Sequence, residues 1–155
     1  MNSKEISDKK EMIDTINECD VCTIGFCDGD IPYVLPFNFA FDENEDILYI
    51  HSGPGGRKEN IIAKNNNVCV AFSHKHKIYF QNENVACSWG MLFKSVLLWG
   101  KIVEVDNIDE KIRLMNLIMK KYSRRSDFSY SNPAINNVKL FKIKVDKISG
   151  KKRGY

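Results

Sequence analysis

The chain has 155 residues, 43% of them hydrophobic and 28% charged, with a formal net charge of +3. That size suits one domain, residues 1–155, able to bury a core without disulfides or metals. The mild charge gives nucleic-acid binding no support, and no apolar run has the length of a bilayer span or the form of a signal-peptide core.

The expected partners therefore include no nucleic acid and no membrane, and the expected location is cytoplasmic. Five cysteines, Cys19, Cys22, Cys27, Cys69 and Cys87, make no even framework and read as small buried hydrophobes of a reducing compartment. Cys19 and Cys22 form a C-x-x-C, but no second pair follows at zinc spacing, and no metal site is expected.

In chain order, Ile6, Ile13 and Ile16 mark one face of a helix over residues 4–18. A short β-rich run, 21–27, ends at the turn signal Asp28-Gly29-Asp30. Residues 31–41 then alternate: Tyr33, Leu35, Phe37, Phe39 and Phe41 point to a core, whereas Val34, Pro36, Asn38 and Ala40 point away and could line a site. After an acidic turn comes a strand over 47–52. The break Gly53-Pro54-Gly55-Gly56 leads into a helix from Arg57 to about Lys64.

Strands are expected at 68–73 and 78–81 with a turn at 74–77, followed by a long strand over about 91–105 in which Gly100 marks a bend or bulge. Asn107 and Glu110 match a capping box. The helix behind it carries a stripe of Ile112, Met115, Met119 and Tyr122, widened by Leu114, Leu117 and Ile118. Residues 123–137 read as irregular, and 138–148 as a last strand before a basic tail. Six or seven strands with few helical crossovers predict a mainly β protein, an antiparallel barrel with peripheral helices.

The chemistry concentrates in Ile50-His51-Ser52-Gly53-Pro54-Gly55-Gly56-Arg57-Lys58. A strand end presents His51 and Ser52, the glycines let backbone approach a ligand, and a helix opens at two cations. Unpaired N–H groups at a helix start favour an anion, so the group expected here is a phosphate. Taken alone, the residues fit an exposed loop with two surface cations equally well, since the spacing is neither a Walker A nor a G-x-G-x-x-G.

A resemblance separates those readings. Pro32-Tyr33-Val34-Leu35-Pro36-Phe37-Asn38-Phe39, then Leu48-Tyr49-Ile50-His51-Ser52 and Gly56-Arg57-Lys58, resemble the pyridoxamine 5′-phosphate oxidase-related FMN-binding split-barrel family. Phe93-Lys94-Ser95-Val96, Trp99-Gly100-Lys101 and the helix with Glu110-Lys111 follow in the same order, and within the family the chain is most similar to the nitroimidazole-resistance branch.

The resemblance implies a split β-barrel, FMN as cofactor and a homodimer with FMN at its interface. It implies Arg57 and Lys58 on the 5′-phosphate, Ser52 on phosphate or ribityl chain, Val34 and Pro36 along the ring system, Asn38 beside it and Ser95 at its polar edge. His51 would lie near the cofactor as the one nominee for proton delivery. The expected activity is FMN-dependent oxidoreduction of a small molecule, with NAD(P)H as a donor and a nitroaromatic as an acceptor. The alternative is a flavin- or haem-binding module without turnover; deazaflavin users also occur in the family. The glycine-rich loop departs from the family's usual form, and the substrate-phosphate cations of a true pyridoxamine 5′-phosphate oxidase are not all present.

Several other features read more simply as structure. His74 and His76 share a strand face but have no carboxylate or thiol obviously beside them, Trp89 is a candidate substrate-side aromatic, and Trp99 belongs to core or dimer contact. The cationic clusters at 120–121, 124–125 and 151–153 read as solvated faces, with Arg124 or Arg125 as alternative contacts for an anionic substrate. The consecutive apolar residues Val96, Leu97, Leu98 and Trp99 need cover on both faces, which fits a dimer.

Overall fold

The alternation of apolar and polar residues becomes eight strands in the computed structural model, which describes residues 1–155. In chain order the elements are β1 (Lys4–Ile6), α1 (Lys9–Glu18), β2 (Cys22–Asp28), β3 (Ile31–Phe37), β4 (Phe39–Asp42), β5 (Ile47–Ser52), α2 (Arg57–Lys64), β6 (Asn67–Phe80), β7 (Trp89–Val105), α3 (Ile108–Ser123), α4 (Asn132–Asn137) and β8 (Lys139–Arg153). A single 3-10 turn, Ala86–Ser88, lies between β6 and β7.

All strand pairs are antiparallel, in the order β3-β2-β6-β7-β8-β5-β4, with β1 added against β8. The two ends of that order, β3 and β4, are neighbours in the chain with only Asn38 between them. The sheet must therefore curl until its edges meet, which makes a barrel with an unladdered seam: a split β-barrel.

At the seam, the Phe39 N–H donates to the Tyr122 hydroxyl at 2.9 Å, and that hydroxyl donates to the Asp20 carbonyl at 2.7 Å. A side chain thus takes the place of the missing strand partner. Burial raises the Tyr122 pKa, which keeps the hydroxyl protonated for this double role.

Inward residues of every long strand fill the barrel, among them Ile24, Phe39, Leu48, Ile50, Val70, Phe72, Val96, Leu98, Phe141 and Ile143. Met12 and Ile16 of α1 and Ile61 of α2 complete this core. A second cluster lies outside the wall, where Leu114 and Ile118 of α3 cover Ala40, Tyr49, Val105 and Leu140. Helix α3 thus roofs the β4–β5–β8 half of the outer surface. Across β3, β2, β6 and β7 the outer surface keeps Val34 and Leu97 exposed.

Several expectations need correction. The N-terminal helix starts only at Lys9, where Asp8 caps it by accepting the Lys10 N–H at 3.0 Å; Lys4–Ile6 is instead a strand that buries Ile6. The single strand expected over 31–41 breaks at Asn38, and Ala40 is buried beneath α3 rather than lining a site. The turn expected at 74–77 is a bulge in one long strand, with one extra residue between His74 and Lys77 and Lys75 at φ 56°.

Gly100 does sit at a register shift, and a Cβ there would lie 2.1 Å from the Lys144 carbonyl oxygen. Asn107 accepts the Glu110 N–H at 3.0 Å, which is half of the expected capping box. The buried face of α3 is Lys111, Leu114 and Ile118, rotated away from the stripe read from the sequence, and Tyr122 is there for its hydroxyl. Residues 132–137 form α4, capped by Ser131 with Pro133 in its first turn. The basic tail belongs to β8: Lys152 pairs with Glu11 at 2.8 Å.

Candidate functional site

Strand β5 delivers His51 and Ser52 to the rim of the barrel, and Gly53–Gly56 turns the chain into α2. Gly55 and Gly56 have φ of 77° and 100°, a region that side chains disfavour. Gly56 caps α2 with no side-chain hydrogen bond, so the first-turn N–H groups have no capping side chain to bind. A Cβ built on Gly53, Gly55 or Gly56 meets nothing within 4 Å, so open space surrounds the turn.

The two cations are held differently. Arg57 donates from Nε and Nη2 to Asp28 Oδ2, at 3.0 and 2.6 Å, and lies 4.8 Å over the Tyr33 ring. Its Nη1 makes no hydrogen bond to the protein, so one edge of the guanidinium fork is available. Lys58 is buried and turns back onto the carbonyls of Gly53 and Gly55, at 3.4 and 3.3 Å. Its charge backs the turn from beneath.

His51 and Ser52 open on the other side of the turn into a cavity of about 550 Å³. Gly53 and Pro54 form one wall, and the α4 segment with Ser131, Pro133, Ala134, Asn137 and Val138 forms the other. Arg57 and Lys58 do not line it. The His51 Nδ1 is buried with no hydrogen-bond partner, and burial pushes the His51 pKa down, which favours a neutral ring. The Ser52 hydroxyl donates to the Gly53 carbonyl at 3.1 Å.

On the bare half of the barrel, Val34 pairs across Gly25 and Cys69 to Trp99, and Pro36 across Thr23 and Ala71 to Leu97. Small side chains in the middle of both rows leave a shallow trough between β3 and β7. Val34 is 55% exposed at its edge. Tyr33, under Arg57, joins the cationic turn to the head of β3. Asn38 lies at the far end of β3 and donates to the Asp20 carbonyl at 3.4 Å. Ser95 stands on β7, three strands and so roughly 14 Å from β3, with its hydroxyl 3.5 Å from the Lys151 carbonyl.

The fold thus gathers His51, Ser52, Arg57 and Lys58 on one strand–turn–helix unit, with Val34 and Pro36 adjoining; Asn38 and Ser95 are set apart. Sequence reading missed Asp28 and Tyr33, the partners of Arg57, because they belong to a different hairpin. It also missed α4, although Ser131-Asn132-Pro133 is a helix-start signal.

Other candidates resolve into local packing. Cys19 and Cys22 are buried free thiols, and burial pushes Cys22 up to about 12, far from a reactive thiolate. His74 lies 3.3 Å from Glu18, and His76 lies 2.6 Å from the Ser73 hydroxyl. Arg124 ends α3 in the left-handed conformation, and Arg125 pairs with Asp127 at 2.9 Å. No helix is long and apolar enough to cross a membrane.

The family model described as pyridoxamine 5′-phosphate oxidase matches residues 8–152. A Bacteroides thetaiotaomicron structure, provisionally named a 5-nitroimidazole antibiotic resistance protein, is 38% identical with a TM-score of 0.86, over 97% of this chain and 87% of that one. A FAD- and haem-binding protein from Mycobacterium smegmatis shares the fold at 14% identity and a TM-score of 0.85, over 98% and 74% of the two chains. A FAD-binding protein from Mesorhizobium loti does so at 21% and 0.71, over 99% and 100%. No curated protein matches the chain.

Proposed function

The chain belongs to the pyridoxamine 5′-phosphate oxidase family, and from that premise we propose that it is a homodimeric FMN-dependent oxidoreductase acting on a small molecule. The observation that carries the reading is the turn after β5, where two glycines at positive φ, an uncapped helix start and two cations meet beside open space. These features fit a phosphate monoester: uncapped N–H groups donate to its oxygens, the free edge of Arg57 adds a directed donor, and Lys58 adds charge from behind.

Ser52 holds the phosphate or ribityl chain by turning its hydroxyl away from Gly53. Val34 and Pro36 bear the flat ring on the shallow trough, with backbone groups of β3 for its edge. Asn38 and Ser95 supply polar contacts at its margins. Bound FMN supplies the two-electron chemistry between a reduced nicotinamide donor and a small acceptor. The acceptor class we favour is a nitroaromatic, on the 38% identity to the Bacteroides thetaiotaomicron protein.

The residues of this chain position, shield and manage protons. His51, a residue of the cavity wall that burial keeps neutral, holds or relays a proton there. The absorption spectrum of freshly purified protein tests the cofactor: flavin bands support FMN, whereas a Soret band identifies a haem module. Replacing Arg57 and Lys58 together with Ala should weaken FMN binding at least tenfold by titration; unchanged affinity would sink the phosphate assignment.

A further inference from the structure

Strands β7 and β8 treat their lysines differently on their two faces. On the inward face, Lys94 and Lys152 both meet Glu11, at 2.7 and 2.8 Å, and Lys139 meets Glu104. On the outward face, Lys101 of β7 and Lys142, Lys144, Lys147 and Lys151 of β8 form no ion pair at all. The ladder sets Lys142 opposite Val103, Lys144 opposite Lys101, Lys147 opposite Trp99 and Lys151 opposite Ser95, so all five share the outer surface. Two carboxylates lie close in the ladders, Asp146 between Val145 and Lys147 and Glu5 opposite Lys151 on β1, yet neither pairs with a lysine of this stripe.

The pair Lys101 and Lys144 is the sharpest feature. Like charges directly opposite one another in an antiparallel ladder repel, and a carboxylate at either position would turn that repulsion into attraction. Conflicts of this kind between local chemistry and the fold concentrate at functional surfaces.

The stripe runs roughly 30 Å from Lys142 to Lys151 along an open sheet face. Beside it Val103 is 46% exposed, and Arg113 of α3 lies 5.9 Å over the ring of Tyr49, the β5 residue opposite Lys142. Charges spread over that length suit an extended anionic surface better than one small anion. Lysines are point charges without the planar fork of arginine, which favours a loose, fast and salt-sensitive encounter. Nucleic acid is the weaker match. The net charge is only +3, and the aromatic side chain in the stripe, Trp99, lies under Lys147 rather than open to a base.

The stripe also borders the trough. Lys147 Nζ lies 5.0 Å over the Trp99 ring, and Trp99 ends the row that crosses Cys69 and Gly25 to Val34. A partner seated on the lysines therefore stands three strand spacings, roughly 14 Å, from β3, a span that electrons cross between protein-bound centres.

We propose that the outer face of β8, from Lys142 to Lys151 with Lys101 beside it, docks the carboxylate-rich face of a small electron-carrier protein. The carrier reduces the flavin by a route separate from reduced nicotinamide. Two reduced one-electron carriers give two electrons and water gives two protons, which balances one two-electron reduction of FMN. The docking stands on the stripe alone; the electron delivery rests on the FMN reading.

A plant-type [2Fe–2S] ferredoxin, small and strongly acidic, serves as the probe. In calorimetry at low salt it should bind the wild type, and added salt should weaken the complex. The double variant K144E/K147E should bind at least tenfold more weakly, whereas K120E, on α3 away from the stripe, should bind as the wild type does. Misfolding is told apart by thermal unfolding: the single variant K144E should melt no lower than the wild type, because it relieves the repulsion with Lys101. A wild type that does not bind the ferredoxin, or a double variant that binds it equally well, overturns the docking. A single-stranded oligonucleotide that binds the wild type more tightly than the ferredoxin overturns the choice of a protein partner.

For the delivery, reduced ferredoxin mixed with FMN-loaded protein in stopped flow should bleach the flavin band faster in the wild type than in K144E/K147E. Equal rates overturn the delivery and leave the docking intact. A wild type that binds no FMN overturns the cofactor reading and the delivery with it, and calorimetry then decides the docking alone.

Discussion

The two halves of the barrel's outer surface are made from the same kind of strand and are treated in opposite ways. Over β4, β5 and β8, helix α3 packs Leu114 and Ile118 onto Ala40, Tyr49 and Leu140, and the wall becomes a second core. Over β3, β2, β6 and β7 no helix is laid down, and Val34, Leu97, Ile78 and Trp89 face outward. The contrast teaches that exposure of apolar side chains here is selective. An exposed apolar face of this kind is the surface on which a ligand or partner would be sought.

The largest effect that would sharpen the contrast lies on the roofed side. Leu114→Ala should cost about 2–5 kcal/mol, because Leu114 is fully buried and its loss leaves a cavity between α3 and the wall. Urea unfolding measures this, and a loss below about 1 kcal/mol would mean that α3 is an ornament rather than a roof. Next comes the seam. Tyr122→Phe removes the hydroxyl that satisfies the Phe39 N–H and should cost about 1–3 kcal/mol in the same assay, with faster amide exchange at Phe39.

A smaller, pH-dependent effect belongs to His51. Its folded pKa is depressed by burial, so the unfolded chain takes up the proton first and stability falls as pH drops through the unfolded value near 6.5 towards the folded one. His51→Gln should flatten that decline in thermal scans between pH 7 and pH 5; an unchanged slope assigns the decline to other groups. The smallest effect on stability belongs to the bare half. Val34→Thr keeps the β-branched shape and should change the unfolding free energy by no more than about 0.5 kcal/mol, while FMN binding weakens measurably. A large loss of stability there would break the contrast, since it would show that the apolar face serves the isolated protomer.

Much of the barrel was legible because each strand carries its own period of two, and Arg57–Lys64 was legible as a helix because glycines fence its start and asparagines its end. What escaped depends on partners distant in sequence. Three residues, Lys4 to Ile6, are too few to show a period, and only the ladder to β8 makes them a strand. The bulge at Lys75 hides one long strand as two, because an inserted residue inverts the alternation that identifies it. The α3 face was misjudged since Leu114 and Ile118 are chosen by the wall they meet, and a broad apolar surface allows more than one centre.

The candidate site divides in the same way. The turn from His51 to Lys58 is contiguous, so its chemistry could be read directly. The ion pair of Arg57 with Asp28 spans 29 positions and depends on the hairpin of β2 and β3 reaching α2. The cavity beside His51 depends on α4 in the same way.

Strand β8 has a consequence for how the molecule assembles. It alone bonds to β1, β5 and β7, the first, middle and late parts of the chain. The hairpins β2–β3 and β6–β7 join directly through the β2–β6 ladder, but β4–β5 stays a separate leaf until β8 is laid between β5 and β7, a long-range closure with a large entropic cost. Ring closure and the docking of the N-terminal segment should therefore be one late, cooperative event, and refolding should show hairpin signals well before Ile6 is protected from solvent.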